Sequence, residues 1–142
     1  MRAPDFIIGR ADAPYIRRWW VIPRNRWFNI YLHEILRSDD DRALHDHPWW
    51  NASIVLRGGY FEHTKPGEVL WRGAGSIVFR SAKTAHRLEI RPERAPRAWT
   101  LFLTGPLFRT WGFHCPKGWV PWREFVDERD TGAVGRGCGE MS

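Results

Sequence analysis

The sequence contains little cysteine: Cys115 and Cys138 are the two among 142 residues, and neither belongs to a Cys-x-x-Cys pair. Cys138 lies in a glycine-rich stretch, so we expect no structural disulfide. No segment approaches the ~18 consecutive apolar residues of a membrane span, and no early apolar run is typical of a signal peptide. These absences predict a soluble, cytoplasmic protein without a membrane partner.

Acidic residues are fewer than basic ones, 16 Asp and Glu against 22 Lys and Arg, which gives a net charge of +6. A basic chain attracts polyanions, so a nucleic-acid partner has to be considered. The cations are nearly all arginines scattered along the chain, and no basic run or nucleic-acid motif accompanies them. We therefore expect a solvated basic surface and no nucleic-acid partner.

Helix signals are also scarce, confined to a turn at 38–43 and to residues 122–129. Strand signals dominate instead, as short segments rich in β-branched and aromatic residues and separated by Gly, Pro, Asp or Ser. These segments are 27–36, 52–63, 69–71, 76–80, 85–91, 98–104 and 106–114. Many short strands at even spacing predict an all-β sandwich or barrel.

The two ends of the chain differ in composition from the middle. Residues 1–20 contain Pro4 and Pro14, and we expect them to lie irregularly over the domain. Residues 131–142 carry too little apolar surface to order themselves, which predicts a flexible tail. Residues 21–130 are then one barrel domain. The 15% aromatic content of the whole chain, with ten tryptophans, suits both a packed core and a lined pocket.

The most informative residues are His45, His47 and His86. A His-x-His pair on a strand places both imidazoles on one face, because side chains repeat every two residues. His86 supplies a third imidazole from a later strand segment. Three neutral imidazoles suit Fe, Zn, Ni, Mn or Cu and not Ca or Mg. The pattern predicts a site for one divalent transition metal.

The spacing around His45 and His47 resembles the first motif of the cupin superfamily, G-(x5)-H-x-H-(x3,4)-E-(x6)-G. Both histidines and Gly58 match, while Asn51 stands where the family has Glu and Asp39 where it has the first Gly. Asn51 is then an auxiliary metal ligand through its carbonyl oxygen, or it orients a water.

The segment 75–90 resembles the second cupin motif, G-(x5)-P-x-G-(x2)-H-(x3)-N. Gly75 and His86 match, and Ser81, Lys83 and Ile90 replace Pro, Gly and Asn. Together the two motifs cover about residues 27–115. The resemblance implies a double-stranded β-helix, the RmlC-like jelly-roll barrel of cupins, with His45, His47 and His86 as metal ligands.

For activity, the resemblance implies several possibilities. Thiol dioxygenases within the superfamily use a three-histidine iron site, which favours Fe(II) and an oxygenase acting on a small organic substrate. A metal-dependent or metal-free isomerase or epimerase is an alternative, and so is a non-catalytic ligand-binding cupin. A metal-free barrel stays open, as does homodimerisation, since cupins often pair through edge strands.

Strand alternation places Tyr60 and Glu62 on the inward face, where they could act as general acid and base. The alternative is that Tyr60 is part of the cavity wall and Glu62 is a solvated residue at the rim. His33 is a fourth ligand, an orienting group or a structural histidine. His114 and Cys115 are adjacent and could suggest a Cys–His pair for nucleophilic catalysis. Neighbouring residues of a strand face opposite sides, which argues against such a pair, so we expect a structural role for both.

Three arginines within or beside strand segments are candidates for a carboxylate clamp, since an inward guanidinium can bind a carboxylate through two parallel hydrogen bonds. They are Arg57, Arg80 and Arg109. The sequence does not decide which of them points inward.

Overall fold

The computed structural model of the chain describes residues 2–10, 12–38, 44–65, 67–126 and 138. Within these ranges the chain forms eleven strands and one short helix. The strands are β1 (Phe6–Arg10), β2 (Ala13–Trp20), β3 (Asn29–Ile35), β4 (Leu44–His45), β5 (Asn51–Lys65), β6 (Glu68–Gly73), β7 (Ile77–Arg80), β8 (Arg87–Glu89), β9 (Ala98–Thr104), β10 (Gly112–Cys115) and β11 (Gly118–Pro121). The helix is α1 (Trp122–Phe125).

The strands form two antiparallel sheets. The larger has the order β1-β2-β3-β9-β5-β6, with β7 and β8 also paired to β5, and the smaller has the order β11-β10-β4. An antiparallel bridge between His45 and His86 joins the two sheets, each residue donating its backbone N–H to the other's carbonyl at 2.9 Å. The prediction of an all-β fold is confirmed.

Alternation of burial shows which face of each strand lines the interior. Along β9 the residues alternate strictly between buried and half-buried, as expected of a strand with one face on a core. The main hydrophobic core draws on five strands and the segment after β8, and contains Tyr15, Ile16, Ile35, Val55, Tyr60, Leu88, Ile90 and Ala98. A second cluster packs α1 against β10.

The long strand β5 serves both halves of the barrel because it bends at Gly58. Its first half pairs with β7 and β9 and its second half with β6 and β8. The register with β9 shifts between Val55 and Arg57, and Gly58 has φ +70°, where a Cβ would lie 2.0 Å from the carbonyl oxygen of Arg97. Glycine is therefore required at this bulge.

The structure corrects the expectation for the N-terminal segment. Residues 6–10 and 13–20 form β1 and β2, which extend the main sheet beyond β3. Pro14 is tolerated because it lies at the second residue of β2, beside the irregular register of β1 at Gly9. An irregular course for these residues was the wrong expectation.

The expectation about the cysteines is also wrong, since Cys115 and Cys138 form a disulfide. Among the described residues, no helix has the length and apolar character needed to cross a membrane. Of the predicted helical segments, 122–129 is helical at Trp122–Phe125, and 38–43 lies outside the described residues beyond Ser38. Of the predicted tail, 131–137 and 139–142 also lie outside them.

Candidate metal centre

Three histidines from two sheets meet at one point of the barrel. His45 ends β4, His47 follows two residues later, and His86 directly precedes β8. One imidazole nitrogen from each of the three lies within 4.8 Å of the other two, so the group could hold a metal ion. The His45–His86 backbone bridge fixes their separation. The structure thus brings together the three histidines nominated from the sequence.

His86 is oriented by a buried carboxylate. Its Nδ1 lies 2.6 Å from Oε2 of Glu62, and both side chains are almost fully buried. Burial lowers the pKa of His86 to about 3, assisted by the charge of Arg80 and opposed by Glu62, so the ring is neutral at pH 7. Because Nδ1 then donates its proton to Glu62, Nε2 presents a lone pair to the cluster.

Glu62 is held by two arginines as well. Nε of Arg80 donates to its Oε2 at 2.7 Å, and Nε of Arg72 to its Oε1 at 2.9 Å. Burial alone would raise the pKa of Glu62, but the hydrogen bond from His86 and the charge of Arg80 outweigh it and lower that pKa to about 2. Glu62 is therefore an ionised anchor, and this geometry suits orientation of His86 better than the acid–base role expected from the sequence.

The position of Nε2 of His47 fits a cation shared with Nε2 of His86. Its Nε2 lies 3.4 Å from Nε2 of His86, and its Nδ1 is buried with no hydrogen-bond partner among the described residues. Two nitrogens each about 2.0–2.1 Å from a tetrahedral metal are separated by about 3.3–3.4 Å. Burial, the largest cause, lowers the pKa of His47 well below its usual range, so this imidazole is also neutral. The donor set fits a transition metal.

Asp46 lies between His45 and His47 in sequence, and its side chain binds groups outside the histidine cluster. Its Oδ1 accepts from the backbone N–H of Gly112 at 2.8 Å, and its Oδ2 accepts from Nε1 of Trp119 at 3.0 Å and lies 3.1 Å from Nε2 of His114. Nη1 of Arg109 lies 3.2 Å from Oδ1. Sequence reasoning treated Asp46 as a spacer, although alternation along β4 would have placed it on the opposite face.

Asn51 and Tyr60 lie in the same buried network. Oδ1 of Asn51 accepts from Nη1 of Arg80 at 3.1 Å, and its Nδ2 has no hydrogen-bond partner among the described residues. The hydroxyl of Tyr60 lies 3.4 Å from Nη2 of Arg80. With its carbonyl oxygen engaged by Arg80, Asn51 is placed behind the histidines as a polar support, and its role as a ligand stays a prediction.

The candidate clamp arginines lie in different places. Arg80 points inward but is neutralised by Glu62, Arg57 is exposed, and Arg109 donates to the carbonyl of His47 at 3.1 Å. A fourth arginine, Arg18 of β2, was missed because its segment was expected to be irregular. It donates through Nε to Nε2 of His33 at 2.9 Å, so His33 belongs to that pair and is not in the histidine cluster.

A cavity of about 470 Å³ lies inside the barrel, with the three histidines in its wall. Most of its lining is apolar or aromatic, including Trp49, Phe102, Trp111 and Phe113. Polar groups are few, and they include Arg18, Ser53 and Thr100. An apolar cavity with a few convergent polar groups is the usual form of a small-molecule site.

No family model and no curated protein matches the chain by sequence. Solved structures do match it. An RmlC-like cupin from Ralstonia eutropha aligns over 82% of this chain and 74% of its own, at 15% identity and a TM-score of 0.54. The chain has the cupin fold.

Two further solved structures are similar to the chain, and one of them is a lyase by name. The DMSP lyase DddQ from Ruegeria pomeroyi aligns over 83% of this chain and 61% of its own, at 15% identity and TM-score 0.56. The iron(II) form of HppE aligns over 73% and 59%, at 15% identity and TM-score 0.54. At such identities the likeness concerns the fold, and it agrees with the resemblance read from the two motifs.

Proposed function

We propose that this cupin binds one divalent transition metal through His45, His47 and His86 and uses it to oxidise a small organic substrate with molecular oxygen. The observation that carries the proposal is the convergence of three imidazole nitrogens within 4.8 Å of one another in the wall of a 470 Å³ cavity. His47 and His86, which are buried and neutral, are ready ligands, since no proton has to be displaced from them before binding.

Iron(II) is the favoured metal. Three imidazoles suit several first-row metals, and one fold neighbour, HppE, is described in its iron(II) form. When bound, iron would supply the one-electron chemistry through which oxygen attacks an organic molecule. The residues of this chain hold and orient the site: Glu62 keeps Nδ1 of His86 protonated, and Asp46 keeps His45 and His47 in place.

An oxygenase site also has to exclude water, and the aromatic residues of the cavity wall serve this purpose. Trp49 stacks on His47 with ring centroids 5.2 Å apart, and Trp111 lies edge-on to His45 at 6.0 Å. Aromatic rings beside the ligands keep the surroundings apolar, which strengthens electrostatic interactions within the site.

The first test is metal content by mass spectrometry on protein purified without chelator. Wild type is compared with a His45→Ala/His86→Ala double variant and with His63→Ala, a control that removes a histidine paired with Glu89 at 2.9 Å and outside the cluster. We expect near-stoichiometric metal in wild type and control and none in the double variant. Equal metal in all three would contradict the site.

The second test is oxygen consumption by reduced, iron-loaded protein across thiols, amino acids and small carboxylates. Uptake that depends on substrate and disappears in the double variant supports the oxygenase assignment. Stoichiometric metal with no uptake across the panel would reject that assignment while leaving a metal-binding cupin.

A further inference from the structure

Arg18 places a positive charge in the wall of the cavity that holds the histidine cluster. Its Nε donates to Nε2 of His33 at 2.9 Å, and its guanidinium carbon lies 4.3 Å from the centre of the Tyr31 ring. Two aromatic neighbours therefore fix the guanidinium in one orientation. Its two terminal nitrogens receive no partner from the part of the chain that the structure describes.

The cation has no counter-ion among the described residues. Arg17, its neighbour in sequence, meets Glu34 at 3.0 Å, and Arg80, which is buried whereas Arg18 is half-buried, is paired with Glu62. His33 adds no charge, because burial, together with the nearby Arg18, lowers its pKa well below the usual range. Burial also lowers the pKa of Arg18 to about 10, which still leaves it charged at pH 7.

An unpaired cation that has lost much of its hydration is unfavourable for folding. A carboxylate entering the cavity would supply the missing charge, and its two oxygens match the planar guanidinium in a bidentate pair. Arg80, the other arginine in this cavity wall, is already paired with Glu62, so among the described residues Arg18 is the unpaired arginine there and suits a monocarboxylate.

The other residues that line the cavity indicate the chemical character of the rest of the ligand. Apolar side chains from four strands line this cavity together with Arg18, and two of them come from β1. They are Phe6, Ile8, Ile16, Ile35 and Leu88. A ligand with an apolar body and one charged end fits such a surface.

We propose that Arg18 binds the carboxylate of a small, largely apolar organic acid and thereby sets the substrate class of the cavity. The acid is a substrate only if the proposed function holds, but its binding to Arg18 needs no metal. The inference therefore predicts carboxylate binding that depends on Arg18 and persists when the histidine cluster is removed.

The test is isothermal titration calorimetry of the full-length protein with butanoate, hexanoate and octanoate, and with the matched primary amides. The variants are Arg18→Gln, which keeps an N–H donor for His33, and Arg17→Gln, the adjacent control whose partner is Glu34. The His45→Ala/His86→Ala variant is titrated in parallel.

We expect at least one acid to bind wild type, with the amide weaker by about tenfold or more, because a hydrogen bond to a charged group is worth about 1.5–3 kcal/mol. Arg18→Gln should lose affinity by the same factor, and Arg17→Gln should not change it. The double histidine variant should keep the binding.

Three results would overturn the inference. They are no binding of any of the acids to wild type, equal binding of acid and amide, or equal affinity in the two arginine variants. Binding that is lost in the double histidine variant but unchanged in Arg18→Gln would move the carboxylate to the metal centre, which rejects this inference and supports the proposed function.

A thermal melt separates recognition from a structural role. If Arg18 serves a ligand, Arg18→Gln should melt at the same temperature as wild type or higher, because the variant removes an uncompensated charge. A structural arginine would lower the melting temperature. Arg18→Lys, which keeps the charge but not the bidentate fork, provides a second variant and should bind the acid with intermediate affinity.

Discussion

Nδ1 of His86 and Oε2 of Glu62 lie 2.6 Å apart, and both side chains are shielded from solvent. A second pair of the same type lies on the outer face of the same strands, where Nε2 of His63 is 2.9 Å from Oε1 of Glu89. The inner pair faces the histidine cluster and the outer pair does not. The outer pair can therefore serve as a control when the effect of the inner pair on metal binding is measured.

Glu62→Gln should lower metal affinity about 10–100-fold, as expected when the group that orients a histidine ligand is altered. It should also lower the free energy of unfolding by about 3–5 kcal/mol, because Arg80 would be left buried without its anion. Competition with a chromogenic chelator measures the affinity, and urea denaturation measures the stability.

Glu89→Gln is the matched control. Its carboxylate is partly exposed, and the loss of a partly exposed ion pair should cost about 1 kcal/mol or less and leave metal affinity unchanged. Equal effects of the two substitutions on metal affinity would mean that Glu62 does not position His86.

Asp46→Asn should destabilise the protein by about 2–4 kcal/mol, since its carboxylate is buried and faces Arg109 at 3.2 Å. Metal affinity should fall with it, because Asp46 lies between His45 and His47 and ties their segment to Gly112. Asp12→Asn, in an exposed pair with Arg10, is the control and should change neither quantity. A loss of stability with unchanged metal affinity would limit Asp46 to holding the sheet together.

The sequence predicted the all-β fold and the meeting of His45, His47 and His86, because a two-residue strand period and motif spacing are local patterns. Alternation proposed Tyr60 and Glu62 as an inward pair, with a wall residue and a solvated rim residue as the alternative, and both side chains are buried. It did not reveal what Glu62 does, since Arg72 and Arg80 reach it from two other strands.

Arg18 was missed for a related reason. The segment 13–20 contains strand-forming residues, but Pro14 led to the expectation of an irregular course, and pairing with β3 on one side and β1 on the other makes it a strand. Propensity of a short segment is a weak guide where tertiary pairing decides the outcome. The same limit applies to Cys115 and Cys138, which lie 23 residues apart and meet through a tertiary contact.

Low pH should reduce the stability of the fold through its buried histidines. His33 is not part of the histidine cluster, so its contribution can be measured without altering the metal centre. Burial lowers the pKa of His33 in the folded protein, so below about pH 6.5 the unfolded chain binds a proton that the folded one does not. Stability is therefore fully present above pH 6.5 and falls with decreasing pH, by about 1.4 kcal/mol per pH unit for each such histidine.

Urea denaturation of wild type and His33→Gln between pH 7.5 and 5.0 measures this slope. Glutamine can still accept the hydrogen bond from Arg18 but does not titrate, so the variant should lose stability less steeply, by about 1.4 kcal/mol per pH unit. Identical slopes would show that His33 is protonated in the folded protein.

The disulfide between Cys115 and Cys138 should matter both for stability and for the metal centre. It joins residues 23 apart in sequence, and closing a loop of this length stabilises a fold by about 3 kcal/mol. Phe113, two residues before Cys115, pairs with His45 in the β10–β4 ladder, so a looser β10 should weaken the hold on that histidine.

We expect dithiothreitol to lower the melting temperature by several degrees and to reduce metal affinity. Cys138→Ser should reproduce both changes and then be insensitive to the reductant. Unchanged melting and metal binding after complete reduction would instead show that β10 is held by its pairing and by Asp46 alone.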